Sequence, residues 1–353
     1  MFDEKLRIPK SIRFLCALLL GLGAGGCFTS APTPSVPAFL IVVNRSGTTG
    51  LIEYSLPLAT GEQPLYSLPP AGTYEGGVPV QNDLFVFGTD ANSTWTLWRY
   101  TLPLSKSPSP SSFTGFAGTP VAALSLANGQ YVLFLEKTGS QACLEGFTAG
   151  SLISATSSSL PSPTLTCNSS NFSSISGTFQ GGTMQLSADG SSLFVETTYL
   201  SGTSSQTTEQ TFSAASIVNG VLPKANATYT LSATLATFPV EGAVESDNVL
   251  LLLPDPSVPG IDFYTVTSVL SGSGKLAPLA QNTAQITPLP SLLTLDPFGS
   301  FVYMATATPG GSPSTIWSFS LNEIQNGSNV APFAQIGAGL TPVSLLTVVG
   351  TQG

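Results

Sequence analysis

Histidine is missing from all 353 residues. Its absence removes imidazole general acid/base catalysis, Ser-His-Asp and Cys-His nucleophiles, and His-ligated zinc from the chemistry open to the chain. Charge is scarce too: Asp, Glu, Lys and Arg make up 8% of residues, against about a quarter in typical soluble proteins. The few charges are mostly acidic, 19 against 10 basic, for a net of −9. Nucleic acid, which is bound by clustered Lys and Arg, is thereby excluded as a partner. Disorder is excluded from the other side, because it needs low hydrophobicity and high net charge. Here 42% of residues are hydrophobic and mean hydropathy is +0.30. What abounds instead is punctuation, with 35 glycines and 28 prolines, the composition of short strands joined by many turns.

The stretch Pro290–Leu321 shows the plan. It holds a short apolar run, an Asp-Pro-Phe-Gly turn, a β-branched and aromatic run, a Gly/Pro/Ser turn and a third run. Apolar runs of four to eight residues cut by Gly, Pro and Asp are strand signals, too short for helices. The third run closes in Phe319-Ser320-Leu321. Similar triplets close runs at Tyr54-Ser55-Leu56, Tyr100-Thr101-Leu102, Phe147-Thr148-Ala149, Phe212-Ser213-Ala214 and Tyr264-Thr265-Val266. Successive aromatics stand 46, 47, 65, 52 and 55 residues apart. An all-β unit recurring at that spacing predicts a β-propeller. The register counts six four-stranded blades, with seven as the alternative if a degenerate blade occupies residues 150–183.

Hairpin signals support the register. Asn128-Gly129 separates two apolar runs, and Asp189-Gly190 does the same in the next unit. The last run, Pro342–Val349 (PVSLLTVV), matches the opening of Pro290–Leu295 (PSLLTL), and no later strands follow it. The first unit begins instead at Ala38–Asn44 (AFLIVVN), which matches second strands such as 300–306. The expectation is a ring closed by pairing of the C-terminal strand with the first blade, leaving no open edge at the seam.

The N-terminus reads as an address. Lys5, Arg7, Lys10 and Arg13 precede Phe14–Gly26, an apolar run of 13 residues, a signal-peptide plan too short for an ordinary membrane span. Ala24-Gly25-Gly26 before Cys27 resembles the lipobox of bacterial lipoproteins, although leucine is commoner where Ala24 stands. The resemblance implies that Cys27 is lipidated and becomes the mature N-terminus. An ordinary secretory signal is the alternative. The expected organisation is a signal peptide over 1–26, a lipidated Cys and Pro/Ser/Thr tether over 27–37, and the propeller domain over 38–353. Without residues 1–26, six basic residues face 17 acidic ones.

Units such as LLTLDPFGSFVYMATAT with IWSFSL resemble the repeats of lactonase-like, YVTN-type β-propellers of exported bacterial proteins, over roughly residues 38–349. The resemblance implies the fold and, in some relatives, sugar-lactone hydrolysis. No catalytic motif of that family can be placed here, and a catalytic histidine is ruled out.

Few residues stand out as carriers of chemistry. Cys143 and Cys167 remain once Cys16 leaves with the signal and Cys27 is lipidated, and an even pair in an exported chain favours a disulfide over two free buried thiols. Asp189 and Asp296 sit in tight turns, bonding their own backbone. Glu241, Glu245 and Asp247, with Asp255 and Asp262 nearby, could offer oxygen ligands to calcium, but their spacing matches no recognised loop and a solvated surface explains them as well. Arg45 and Arg99 are either anion contacts or ordinary surface charges. The Asn-X-Ser/Thr matches at Asn92, Asn168, Asn171 and Asn226 are what Ser/Thr richness produces. No metal site, cofactor or catalytic residue follows.

The functional expectation is a non-enzymatic binding or scaffold module at the cell envelope, in the periplasm or at the outer membrane or cell surface. Its partners would be the membrane, through the lipid anchor, and a protein or glycan ligand. The alternative is a lactonase-like sugar-lactone hydrolase working at the central channel mouth. Two carboxylates and a basic residue converging at that mouth would discriminate the two.

Overall fold

The computed structural model describes residues 37–45, 47–106, 109–167, 176–187, 189–230, 243–244, 250–255, 260–265, 274–275, 280–282, 292–305, 314–325 and 332–350. The signal and Cys27 expectations, and those on Glu241, Glu245, Asp247, Asn168 and Asn171, lie outside these residues. Six sheets follow one another along the chain.

The first contains β1 (Ala38–Asn44), β2 (Leu51–Ser55) and β3 (Tyr66–Leu68). The second is β4 (Thr73–Val80), β5 (Asp83–Thr89), β6 (Trp95–Thr101) and β7 (Ser111–Thr114). The third is β8 (Thr119–Leu126), β9 (Tyr131–Thr138) and β10 (Gln141–Thr148). Then come β11 (Thr178–Leu186), β12 (Ser192–Ser201), β13 (Ser204–Ser213) and β14 (Ala227–Thr230). The next sheet joins β15 (Ala243–Val244), β16 (Leu250–Asp255) and β17 (Gly260–Thr265) to β19 (Ala280–Asn282), while β18 (Gly274–Lys275) between them leaves to pair parallel with β14. The last is β20 (Leu292–Leu295), β21 (Phe301–Ala305), β22 (Ser314–Ser320) and β23 (Ala334–Leu340). The final strand, β24 (Pro342–Val349), lies antiparallel to β1, from Ala38↔Val349 to Asn44↔Pro342.

The expected six four-stranded blades, or seven, are therefore corrected. Five sheets are blades of three or four strands, and the sheet from β11 to β14 is a five-stranded mixed sheet through its parallel β18. No seventh blade stands in the described part of 150–183. A short helix, α1 (Ala149–Ser154), is followed by chain that forms no ladder with the described sheets, pairing only in isolated bridges, Gly146↔Leu165 with the third sheet and Thr114↔Ser159 with the second. Pro161 and Pro163 explain this, since proline cannot donate to a ladder. The chain-end pairing is present. That pairing joins the chain ends but does not by itself establish a closed ring.

Alternation builds the core. Along β1, Leu40 and Val42 join one apolar cluster with Tyr303 and Ile316, while Ile41 and Val43 join another with Leu84 and Val86. Along β9, Tyr131, Leu133 and Leu135 pack towards β12, while Val132 and Phe134 pack towards Phe85 and Phe87 of β5. Each such strand is buried on both faces because a sheet stacks on either side, which is why these runs are continuously apolar.

The inner strands share one direction. β20 lies against β24, β24 against β4, β4 against β8, and β8 against β11. Their starts meet: Arg45, beside the start of β24 through its bond to the Thr341 carbonyl, pairs with Glu75 of β4, and the Phe179 N–H of β11 bonds the Ser140 carbonyl of the β9–β10 turn. Their ends meet as well, with Thr347 Oγ1 donating to the Leu295 carbonyl at 2.9 Å and Gln81 Nε2 to the Gly129 carbonyl at 3.3 Å. The domain thus has two faces, one where inner strands start and one where they finish. Pro37 enters at the finish face, its carbonyl accepting from Gly350 N–H at 2.7 Å.

Candidate functional site

The turn signals place their residues as expected. Asn128 and Gly129 take positive φ of 54° and 79° between β8 and β9. Asp189 accepts from Ser187 Oγ and from the N–H and hydroxyl of Ser191, and Asp296 Oδ2 accepts from Ser300 N–H. These are turn-closing roles. Asn92 and Asn226 also sit in connections, their N–H groups bonding Asp90 Oδ1 and the Thr211 carbonyl. Of Asp255 and Asp262, only the backbone is described, on β16 and β17.

The two arginines are spoken for. Arg99 Nε lies 2.9 Å from Asp83 Oδ1, and Arg99 Nη1 donates to the Ile153 carbonyl at 2.5 Å. Arg45 pairs with Glu75, which is the one charged residue on β4, β8, β11, β20 and β24. The other described residues of these strands are small, apolar, hydroxyl or amide.

The carboxylates that sequence reasoning missed are buried inside the sheets. Glu136 of β9 pairs with Cys143 of β10, and Glu145 stands two residues further along the same face. That face also carries Phe134 and Phe147, and it packs on the sheet of β4–β7. Glu136 is fully buried and Glu145 is 4% exposed. The chain before β8 caps them: Gly118 N–H donates to Glu136 Oε2 at 2.7 Å, and Ala117 N–H bonds Glu145. A side chain at position 118 has no room, since its Cβ would stand 2.6 Å from the Lys137 carbonyl. The two carboxyls are electrostatic neighbours. Burial, then the neighbouring Glu145 charge, pushes Glu136 up to about 9. Burial raises Glu145 as well, while its Glu136 neighbour holds it lower. Burial of the pair thus favours the protonated form of Glu136.

The expected staple lies against this pair. Cys143 and Cys167 form a disulfide with Cα atoms 5.2 Å apart, inside the normal range. Thr138 Oγ1 lies 3.3 and 3.2 Å from the two sulfurs. One carboxylate oxygen of Glu136 and both sulfurs fall within 4.8 Å of one another. In the disulfide neither sulfur is the thiolate that a metal would need.

A second pair faces itself across β12 and β13, where Glu196 and Glu209 are direct partners in register. Burial pushes Glu196 up to about 8; burial and the Glu196 charge hold Glu209 well above the carboxylate range. Hydroxyl pairs flank them, Thr198 with Thr207 at 2.9 Å and Thr197 with Thr208 at 3.2 Å. The signal that could have found both pairs is an acid inside an apolar run, as in LFLEKT and LFVETT.

Comparison of the fold settles its class. A periplasmic gluconolactonase of Pseudomonas aeruginosa superposes with a TM-score of 0.58 at 15% identity, over 89% of this chain and 99% of that one. A chain of a nidogen/laminin complex gives 0.56 at 10%, over 88% and 98%. TolB of Acinetobacter baumannii gives 0.51 at 13%, over 98% and 74%. The fold is a β-propeller. No protein-family model and no curated protein matches the chain. Within the propeller, the two acid pairs lie between or within blades, and the mouth where inner strands start carries the Arg45–Glu75 ion pair.

Proposed function

We propose that the chain is an exported, lipid-anchored β-propeller that binds a protein or glycan at the cell envelope and does not perform catalysis. The observation that carries this reading is where the acids stand. The described carboxylates are mostly sealed in pairs, tied to arginine, or engaged in turns. A hydrolase would need an acid and a base open to substrate at one mouth. Glu136, Glu145, Glu196 and Glu209 are each at most 4% exposed, out of reach of a sugar lactone. Export is supported by the basic-then-apolar N-terminus and by a disulfide that suits an oxidising compartment. The structurally similar gluconolactonase is itself named as periplasmic. Anchoring is supported by Cys27 after Ala24-Gly25-Gly26.

Two measurements test the reading. Protein made in a bacterial host should take up labelled palmitate and partition into detergent, and Cys27→Ser should lose both. Purified protein should hydrolyse gluconolactone no faster than buffer in a pH-stat. Turnover abolished by a point substitution of a propeller carboxylate would replace binding with catalysis.

A further inference from the structure

The propeller's exposed apolar side chains are distributed unevenly between its two faces. Among the described residues, six large hydrophobic side chains are exposed: Leu65, Leu200, Val221, Phe298, Phe333 and Val349. Five of these six stand at the face where the inner strands finish. Val349 ends β24 beside Ala38. Phe298 tips the turn from β20 to β21, and Phe333 stacks on Phe301 with centroids 5.1 Å apart. Leu65 precedes β3 opposite the end of β2. Val221 follows the short helix α2 (Ala214–Val218), which continues from the end of β13. Leu200, near the end of β12, alone lies at the other face.

We infer that this face seats on a lipid bilayer, with Phe298 and Phe333 entering the interfacial layer. The inference rests on the anchoring proposed above. The chain meets the domain on this same face, because Pro37 bonds Gly350 next to Val349. From Cys27, only residues 28–36 intervene, a Pro/Ser/Thr stretch that spans about 28 Å when extended. An acyl chain on Cys27 would therefore draw the domain in from its finish face, where Pro37 enters. The five side chains sit on four separate connections and one strand end spread over one face. That suits a planar occupant better than a peptide, which would need a groove. Aromatic and aliphatic side chains at such a level partition into the headgroup boundary. The acidic chain favours zwitterionic over anionic lipid.

The experiment uses the full chain made in a bacterial host and reconstituted in zwitterionic phosphatidylcholine vesicles, part of whose lipid is brominated. Three variants each add one tryptophan: Phe298→Trp, Phe333→Trp, and Thr48→Trp in the exposed β1–β2 turn. That turn lies one strand length away, about 23 Å. Mass spectrometry of Cys27 reports acylation separately. The tryptophans added at 298 and 333 are expected to be quenched at least about twofold more than the one at 48. Equal quenching at all three, or more at 48, with Cys27 acylated, overturns the face while leaving the anchor. If Cys27 carries no lipid, the anchor fails, and quenching at 298 and 333 on adding vesicles still supports the face. Absence of quenching in that case overturns it.

Discussion

Replacing Glu136 by glutamine tests the buried acid pair through its proton. Glu136 holds its proton up to about pH 9 in the folded chain, whereas an unfolded glutamate releases it near 4.3. Between those values the unfolded state binds fewer protons than the folded one, so stability falls as pH rises. One full proton gives about 1.4 kcal/mol per pH unit, or about 4 kcal/mol from pH 5 to pH 8. Glu145 is raised beside it and the two titrate together, so about half of that, roughly 2 kcal/mol, is the expected share. The Glu136→Gln side chain keeps the shape of the acid. Its oxygen can still accept from Gly118 N–H, but it cannot ionise. Urea denaturation followed by fluorescence at pH 5, 6, 7 and 8 should show wild type losing stability with pH more steeply than the variant. The variant should gain on wild type by roughly 2 kcal/mol across that range. Glu196 and Glu209 contribute to both curves and cancel in the difference. Parallel curves, or a uniform loss in the variant, would refute a proton retained at this site.

Other positions give simpler tests. Phe134 is fully buried and meets Phe87, Phe116 and Phe147 edge-on at 6.2, 5.1 and 6.0 Å; Phe134→Ala should cost about 3–5 kcal/mol by denaturation, and a loss below about 1 kcal/mol would mean that the second and third sheets do not stack there. The Cys143–Cys167 bridge closes a loop of 24 residues, so the double serine variant should lose about 3 kcal/mol, and alkylation of two thiols in native protein from an oxidising compartment would contradict it. Arg99→Ala leaves Asp83, 5% exposed, without its partner and should cost about 2 kcal/mol in a melt at neutral pH, while Arg99→Lys should recover part of this.

The repeat was legible because its turns are chemical. Asn128-Gly129, Asp189-Gly190 and Asp296 with Gly299 require those residues, and each stands where its pattern pointed. The triplets at strand ends were legible because the aromatic must alternate into a neighbouring core, as Tyr54 and Phe212 do. The blade count was misread because spacing reports chain length and not pairing. The long gap before Phe212 holds the stapled excursion around Thr164 and Leu165, fixed by Thr164 Oγ1 on the Tyr131 hydroxyl at 3.0 Å. Nor could local pattern show β18 leaving its neighbours for β14. The acid pairs were hidden for a related reason. A glutamate at a strand position looks solvated until a second sheet is stacked over it, and Gly118 N–H reaching Glu136 while Phe116 stacks on Phe134 is a longer-range event.

The pairing of β1 with both β2 and β24 has a mechanical consequence. A pull applied at Pro37 along the axis of β1 loads that strand lengthwise. Antiparallel hydrogen bonds lie across that axis, so the load falls on the rungs of both ladders together, in shear. It does not peel them one at a time. The strand that receives the force is also the one gripped by the last residues of the chain, at Ala38↔Val349 and on to Asn44↔Pro342. Tension on β1 is therefore borne by both of its neighbours, one of them contributed from the other end of the described chain.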